Sequence, residues 1–463
     1  MSPAARLRPL TVAAYGAPGL VLAALALTFY VFLPKYYADV LGIDLTVLGV
    51  VVLLSRVWDA VIDPAIGALS DRTRSRWGRR RPWIVAGAAP LAVCFVLLVV
   101  IPRASEDPLI EGLYLGALTF LFFLFWTMVT VPYEALGAEL SFDYDERSRL
   151  LGTREAAVLA GTLVAAVIPI LAGVGADLTG DLARERARYL DIALVYALLV
   201  TVLIGGCVLV VPERRWAESQ RPKAFLRNLA GIWRNRPFRI VLSAYAVTAL
   251  GFSVAATLIL FYVQYVLGSG AGPLFLAVYL GIGTVTVPLW ILLARRFEKR
   301  RAWLLALGVN TVAFAPALLL GRGDAGIFGV IVVTSALGVG GVMAIPPSMQ
   351  ADAIDYDEWT SGTRREGEYI GFWSIVKKLA AALSAGLAFP ILDFSGYVPG
   401  SGQQAPAAIW ALRLLYVGTP TLCNLIAISI AWRYPIDRVT HERIRDEIDH
   451  RLGSSAPALT AGV

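Results

Sequence analysis

Long apolar runs separated by short charged stretches recur from one end of the chain to the other. They lie near residues 10–34, 45–69, 83–102, 110–139, 155–175, 190–211, 238–266, 272–294, 302–321, 326–350, 368–392 and 407–432. A helix needs about 20 predominantly apolar residues to cross a bilayer's hydrocarbon core. Backbone in lipid must satisfy its own hydrogen bonds, so each run predicts a spanning α-helix. The first run is too long for the apolar core of a cleaved signal and is expected to remain as a span. The pattern predicts an all-α membrane protein with twelve transmembrane helices. A different pattern closes the chain: Ile436, Val439, Ile444, Ile448 and Leu452 recur among charges. That predicts an amphipathic helix lying on the membrane surface or on the bundle.

Charge placement orients the spans. Six arginines fall between Arg72 and Arg81, eight basic residues between Arg214 and Arg239, and five between Arg295 and Arg301. All follow even-numbered spans, whereas 267–273 and 394–406, after odd-numbered ones, carry no charge. By the positive-inside rule both termini are cytoplasmic. Each basic run is tethered between spans, so no nucleic-acid partner is expected. The 463 residues are 57% hydrophobic and only 16% charged, against about 25% charged in soluble domains.

The remaining composition narrows the chemistry. The only histidines, His441 and His450, sit in the tail, which excludes a buried histidine proton relay. Cys94, Cys207 and Cys423 lie in separate runs with no metal-ligand spacing. No phosphate-binding Gly-rich loop of the Walker type is present, so ATP is not the expected energy source. No nucleophile–base pair is evident, and neither an enzyme nor a bound cofactor is expected.

A weak internal repeat divides the chain. Arg76-Trp77-Gly78-Arg79-Arg80-Arg81-Pro82-Trp83-Ile84 echoes Arg296-Phe297-Glu298-Lys299-Arg300-Arg301-Ala302-Trp303-Leu304 at an offset of 220 residues. Asp143-Tyr144-Asp145-Glu146 echoes Asp355-Tyr356-Asp357-Glu358 at an offset of 212. The two offsets join corresponding loops. They predict six-helix units over 1–211 and 238–432, a cytoplasmic linker over 212–237 and a tail over 433–463. This is the layout of a major facilitator fold, with two pseudo-symmetric halves around a midplane site.

Polar residues inside the spans are few, and each must be accounted for. A charge at the bilayer centre costs roughly 2.5 kcal/mol or more on insertion scales. Asp59 and Asp63 nevertheless sit in the second span, four residues apart and therefore on one helical face. Arg56, three residues before Asp59, neutralises part of this charge; a sodium ion or proton can supply the rest. The competing reading is an Arg–Asp pair that only orients helices. Lys377 and Lys378 lie in the eleventh span. Neighbours point about 100° apart on a helix, so one is expected to face the cavity and the other to turn away. Trp126, Thr127 and Thr130 lie on the fourth span, with Tyr133 and Glu134 past a kink expected at Pro132. Near the helix ends, Asp71, Arg76, Asp143, Arg147, Arg154 and Asp355 are candidates for a cytoplasmic gate whose ion pairs break and reform. An ordinary solvated loop explains the same charges.

At these residues the chain resembles the glycoside–pentoside–hexuronide:cation symporter family, the melibiose permease group of the major facilitator superfamily. The matching pieces are Ala14-Tyr15-Gly16, Tyr37-Ala38-Asp39-Val40-Leu41-Gly42, Arg56-Val57-Trp58-Asp59-Ala60-Val61-Ile62-Asp63-Pro64, Arg74-Ser75-Arg76-Trp77-Gly78 with Pro82-Trp83, Pro132-Tyr133-Glu134-Ala135-Leu136, Ala351-Asp352-Ala353-Ile354-Asp355-Tyr356, and Arg364-Arg365-Glu366-Gly367 leading to Lys378. The resemblance implies a sodium- or proton-coupled symporter whose cation is held by Asp59 and Asp63, with Lys378 near both the cation and the solute. Melibiose-type members hold sugar hydroxyls with aspartates on the first and fourth spans. The matching positions here are Val21 and Thr130, so the sugar half of that pattern is missing. Trp126, Thr127, Thr130, Tyr133 and Trp373 would instead form an aromatic, weakly polar lining. The expected function is symport of a small organic solute, a sugar or glycoside, by a monomer in a bacterial cytoplasmic membrane. The alternatives are a cation-coupled carrier of an amphipathic, lysophospholipid-like substrate, which a related vertebrate branch suggests, and a membrane sensor that transports nothing.

Overall fold

The computed structural model describes residues 7–100, 108–140, 144–174, 181–213, 229–363 and 365–454. Most of the linker (214–228) therefore lies outside the described residues, as do Asp143 and Arg364, and nothing is described of the Arg147 side chain. Among the described residues, twelve helices are long and apolar enough to cross a membrane. They are α1 (Pro9–Asp39), α2 (Leu45–Arg72), α3 (Arg81–Val99), α4 (Ile110–Gly137), α5 (Arg149–Leu171), α6 (Leu182–Val210), α7 (Arg236–Val266), α8 (Gly272–Phe297), α9 (Lys299–Leu319), α10 (Ala325–Ser361), α11 (Glu366–Phe394) and α12 (Pro406–Ala431). The surface tail helix is α13 (Arg438–Ser454).

Local chemistry starts and stops these helices. Asp44 caps α2 by accepting from the Val47 N–H at 2.9 Å, and Asn235 caps α7 by accepting from Phe238 at 3.0 Å. Gly362, at φ 68°, ends α10 in the left-handed conformation, and its N–H is bonded to Glu358. Prolines inside the helices, such as Pro64, Pro90 and Pro288, cost less here than in water-exposed helices because neighbouring helices cover the freed backbone. α4 continues as α-helix through Pro132. π-helical turns interrupt α1 at Thr28–Phe32, α7 at Tyr262–Val266 and α12 at Leu414–Gly418; each inserts an extra residue into the ladder.

The outer faces are greasy. Leu209, Val285, Leu319 and Phe394 are each more than three-quarters exposed, which in a membrane means facing lipid tails. Inside, α1 packs on α5 and α6, α3 on α4 and α6, and α2 on α4. Further along, α7 packs on α11 and α12, α9 on α10 and α12, and α8 on α10. The first six spans meet the last six mainly through α2 against α11 and α5 against α8.

Two surface features depart from the sequence pattern. On α13, Ile444 and Ile448 are buried together with the preceding Ile436, but Val439 is three-quarters exposed because it falls off their i, i+4 row. The arginine-rich loop before α3 is not simply solvated. Glu213 accepts from the backbone N–H groups of Arg79, Arg80 and Arg81 at 2.7, 2.9 and 3.1 Å. These are unpaired donors of the first turn of α3, which favour an anion. Gly78, at φ 102°, leaves no room for a Cβ beside that carboxylate.

Candidate functional site

The second-span charges converge with α4 and α11. Arg56 Nη1 lies 3.1 Å from Asp59 Oδ2, and its guanidinium covers the Tyr30 and Phe123 rings at 4.3 and 4.0 Å. Both Arg56 and Asp59 are buried. Lys378 Nζ reaches across from α11: it is 3.0 Å from Asp59 Oδ2 and is hydrogen-bonded to Asp63 Oδ2. The Thr127 hydroxyl of α4 lies 3.2 Å from Asp59 Oδ1 and 3.0 Å from Asp63 Oδ1. Two carboxylates thus face two cations. The pairing is what makes the burial tolerable, since removing one partner would strand a buried charge. The Oδ1 atoms of Asp59 and Asp63 meet the Thr127 hydroxyl, while their Oδ2 atoms meet Lys378. Among the described residues no group of three or more His, Cys, Asp or Glu stands ready for a metal ion. A hard cation here would draw on these three side chains and on water.

A cavity of about 340 Å³ opens beside this cluster, lined by Arg56, Trp126, Glu134, Lys377 and Lys378 among others. The structure differs here from the expectation that only one of the two lysines faces the cavity. Both lysines line the cavity, because long flexible stems let adjacent ammonium groups reach one space. Of the expected aromatic lining, only Trp126 borders this cavity. Thr127 sits beneath the carboxylates. The Thr130 hydroxyl is taken by the Trp126 carbonyl at 3.0 Å. Tyr133 is buried, donating to the Tyr15 carbonyl at 2.6 Å. Trp373 is buried as well, stacked on Tyr245 at 4.1 Å between centroids. Val21 is fully buried. Phe29, Tyr30, Phe122 and Phe123 join the lining instead. In the sequence they read as ordinary apolar span residues.

The charges expected to form a gate pair largely within their own neighbourhoods. Asp71 bridges to Arg80, which lies 3.0 Å from Glu139. Arg154 is 2.5 Å from Glu155 and 3.9 Å from Glu134. Arg76 is exposed. Asp355 meets the tail: His441 Nε2 is 3.1 Å away, and Arg445 of α13 is 3.6 Å away. The Asp355 contact holds the His441 imidazole above its usual range.

A second polar node, unforeseen in the sequence, lies at the opposite end of the bundle. Asp39 at the end of α1 accepts from the hydroxyls of Tyr265 and Tyr397, each at 2.6 Å, and from the Gly400 N–H at 3.3 Å. It also bridges to Lys35, whose ammonium covers the Tyr265 ring at 4.2 Å. Beside it, the Thr46 hydroxyl donates to Asp393 at 2.7 Å. These bonds join α1 and α2 to α7, α11 and the segment after α11.

Twelve spans around a charged midplane cluster define a polytopic transport-protein architecture. Comparison with known proteins places it further: a family model described as "MFS/sugar transport protein" matches residues 14–438, and the chain belongs to that family. It is a multi-pass integral membrane protein of the glycoside–cation symporter type within the major facilitator superfamily. It is 28% identical to the glucuronide carrier protein homolog of Escherichia coli strain K12, with 91% of each chain covered. It is 27% identical to the sodium-dependent lysophosphatidylcholine symporter 1-A of Danio rerio, over 89% of this chain and 82% of the relative. Its fold matches a bacterial homolog of the human lysosomal transporter Spinster in an inward-facing conformation, with a TM-score of 0.68 at 14% identity, over 95% of this chain and 99% of that one.

Proposed function

We propose that the protein is a secondary active transporter that carries a sugar or glycoside together with Na⁺ or H⁺ across a bacterial cytoplasmic membrane. It works as a monomer by alternating access, without a bound cofactor and without catalysing a reaction. The observation that carries this reading is Lys378 of α11 shared between Asp59 and Asp63 of α2. Two spans from different units are joined at the midplane by charges that a small cation can take over. When the cation binds the Asp59, Asp63 and Thr127 oxygens, the cluster gains one positive charge. Lys378 is then released toward the cavity, where an electronegative group of the solute accepts it. Cation and solute each favour the arrangement the other needs, which is reciprocal coupling.

The moving parts are two six-helix halves, residues 1–211 and 238–432, joined by the 212–237 linker, with the 433–463 tail and both termini cytoplasmic. The packing supports this division: the main pairings among the first six spans recur six helices later, α1–α5 as α7–α11 and α3–α6 as α9–α12 among them. The charges of Asp71, Arg76, Asp143, Arg147, Arg154 and Asp355 then serve one cytoplasmic gate. The test is uptake of a panel of glycosides into proteoliposomes under imposed Na⁺ or pH gradients. Accumulation driven by one gradient and absent without it supports the reading. A panel-wide failure of both gradients to drive any solute would sink it.

A further inference from the structure

A second chamber, of about 90 Å³, lies inside the last six spans. It is enclosed by α7, α8, α9, α10 and α12 and bordered on the other side by Leu27 of α1. Its chemistry is opposite to that of the charged cavity. Among the described residues, no Asp, Glu, Lys, Arg or His lines it. Phe252, Ile259, Leu276, Phe314, Val339 and Met343 supply most of the wall. Thr248, Tyr279, Asn310 and Asn424 in its wall are already engaged. The Asn310 amide donates to the Tyr279 hydroxyl at 3.2 Å and to the Ser335 carbonyl at 3.0 Å, the Asn424 amide donates to Asn310 Oδ1 at 3.1 Å, and the Thr248 hydroxyl donates to Ala244 at 3.0 Å.

Such a space excludes an ion, which would be desolvated without a partner. It disfavours a bare sugar, whose hydroxyls would go unpaired. Close-packed interiors do not keep voids of this size without reason, because the lining loses its contacts. A hydrocarbon or aryl group fits on every count. The position also matters. Consecutive residues of α1 border the two chambers: Ala26 lines the charged one and Leu27 the apolar one. Adjacent residues differ by about 1.5 Å in height, so the two spaces touch α1 at nearly the same level.

We propose that the apolar chamber is a substrate subsite, and that the transported solute is amphipathic: a polar head beside Lys377, Lys378 and Trp126, with a hydrocarbon or aryl tail that passes Leu27 into the C-terminal spans. This rests on the charged cavity being the solute site. The same chemistry is met by an alkyl or aryl glycoside and by a lysophospholipid, and the experiment separates them.

Two photoreactive probes carry a diazirine at the end of an octyl chain, one with a glucose head and one with a phosphocholine head. Each is cross-linked to the purified protein in nanodiscs, and labelled peptides are mapped by mass spectrometry. Label is expected on α7 between Thr248 and Ile259 or on α10 between Val339 and Met343. It should fall about tenfold when Ala256→Phe fills the chamber, as expected for loss of one well-buried apolar group. The milder Ala256→Leu should give a smaller fall and guards against misfolding of the larger variant. The head group that labels more strongly identifies the source. Label confined to lipid-facing residues, or unchanged by both filling variants, overturns the subsite. Gradient-driven uptake of methyl glucoside is measured in parallel. If filling the chamber leaves that uptake intact while label is lost, subsite and transport reading both stand. If uptake occurs but no chamber label forms, the subsite alone fails. If chamber label forms but no gradient drives any solute, the transport reading alone fails.

Discussion

Two polar nodes tie the first six spans to the last six, and they are built in opposite ways. At the midplane, Asp59 and Asp63 face Lys378, with Arg56 behind: charge meets charge, and the lysine is a quarter exposed to the cavity. At the far end, Asp39 receives two tyrosine hydroxyls and a backbone N–H, while its own cation, Lys35, comes from the same helix. Separating α2 from α11 strands full charges unless something positive steps in. Separating α1 from α7 breaks hydrogen bonds from neutral donors to Asp39 but no ion pair, because Asp39 and Lys35 travel together. The first node is therefore sensitive to ions, and the second is a latch that an ion does not need to open.

The sharpest way to break this contrast is at the first node. Asp63→Asn leaves the Asp39 latch untouched, yet the ratio of internal to external solute at steady state should fall to about one, because uphill flux requires the coupled site. Uptake into proteoliposomes with and without an imposed cation gradient measures this. Normal accumulation in that variant would remove Asp63 from the coupling site. Next in size, Lys378→Ala should lower stability by about 3 kcal/mol, since it leaves Asp63 without a cationic partner beside the buried Asp59. Adding Asp63→Asn should recover part of that loss. Thermal unfolding of the single and double variants gives the coupling directly, and strict additivity would argue that the pair is not one unit.

The latch should respond more gently. Tyr265→Phe or Tyr397→Phe removes one hydrogen bond to a carboxylate, worth about 2 kcal/mol. It should raise thiol labelling of a cysteine placed at Val40, without changing which cation drives transport. A change of driving ion would show that the two nodes are not separate.

The smallest effect is at the tail. His441 is held above its usual range chiefly by Asp355, with Asp352 helping and Lys299 opposing. A group whose folded-state pKa is raised contributes stability that is fully present below the unfolded value and lost as pH rises through the folded one. Once corrected for the base-catalysed intrinsic rate, amide protection in α13 should therefore fall as pH rises above the ordinary imidazole range, and His441→Ala should flatten that dependence. A pH response that survives the substitution would assign it to another group.

What could be read from the sequence follows the cost of being wrong in a membrane. The twelve spans were legible because twenty apolar residues have few other uses, and Asp59, Asp63 and Lys378 stood out because charge at that depth demands partners. Asp39, Tyr265 and Tyr397 were not legible as a group. They sit at span ends, where polarity is cheap and carries little information. The apolar chamber was hidden for the converse reason: Phe252 or Met343 facing a cavity reads like Phe252 or Met343 packed in a core. Tyr133 and Trp373 misled in the same way, since an aromatic ring in a span suits a solute and a neighbouring helix equally well. Glu213 was missed because its partners are backbone N–H groups, which every residue but proline carries.

The hydroxyl of Thr127 owns a single hydrogen, yet two carboxylate oxygens stand within reach of it. At any instant one of them is served and the other faces a lone pair, so the resting cluster carries a built-in frustration that no rotation of the side chain resolves. A positive ion among the three oxygens ends the contest by letting the hydroxyl turn its hydrogen outward. Serine at this position would keep that dilemma and valine would abolish it, so the pair of substitutions asks whether the protein needs its own dissatisfaction in order to want a cation.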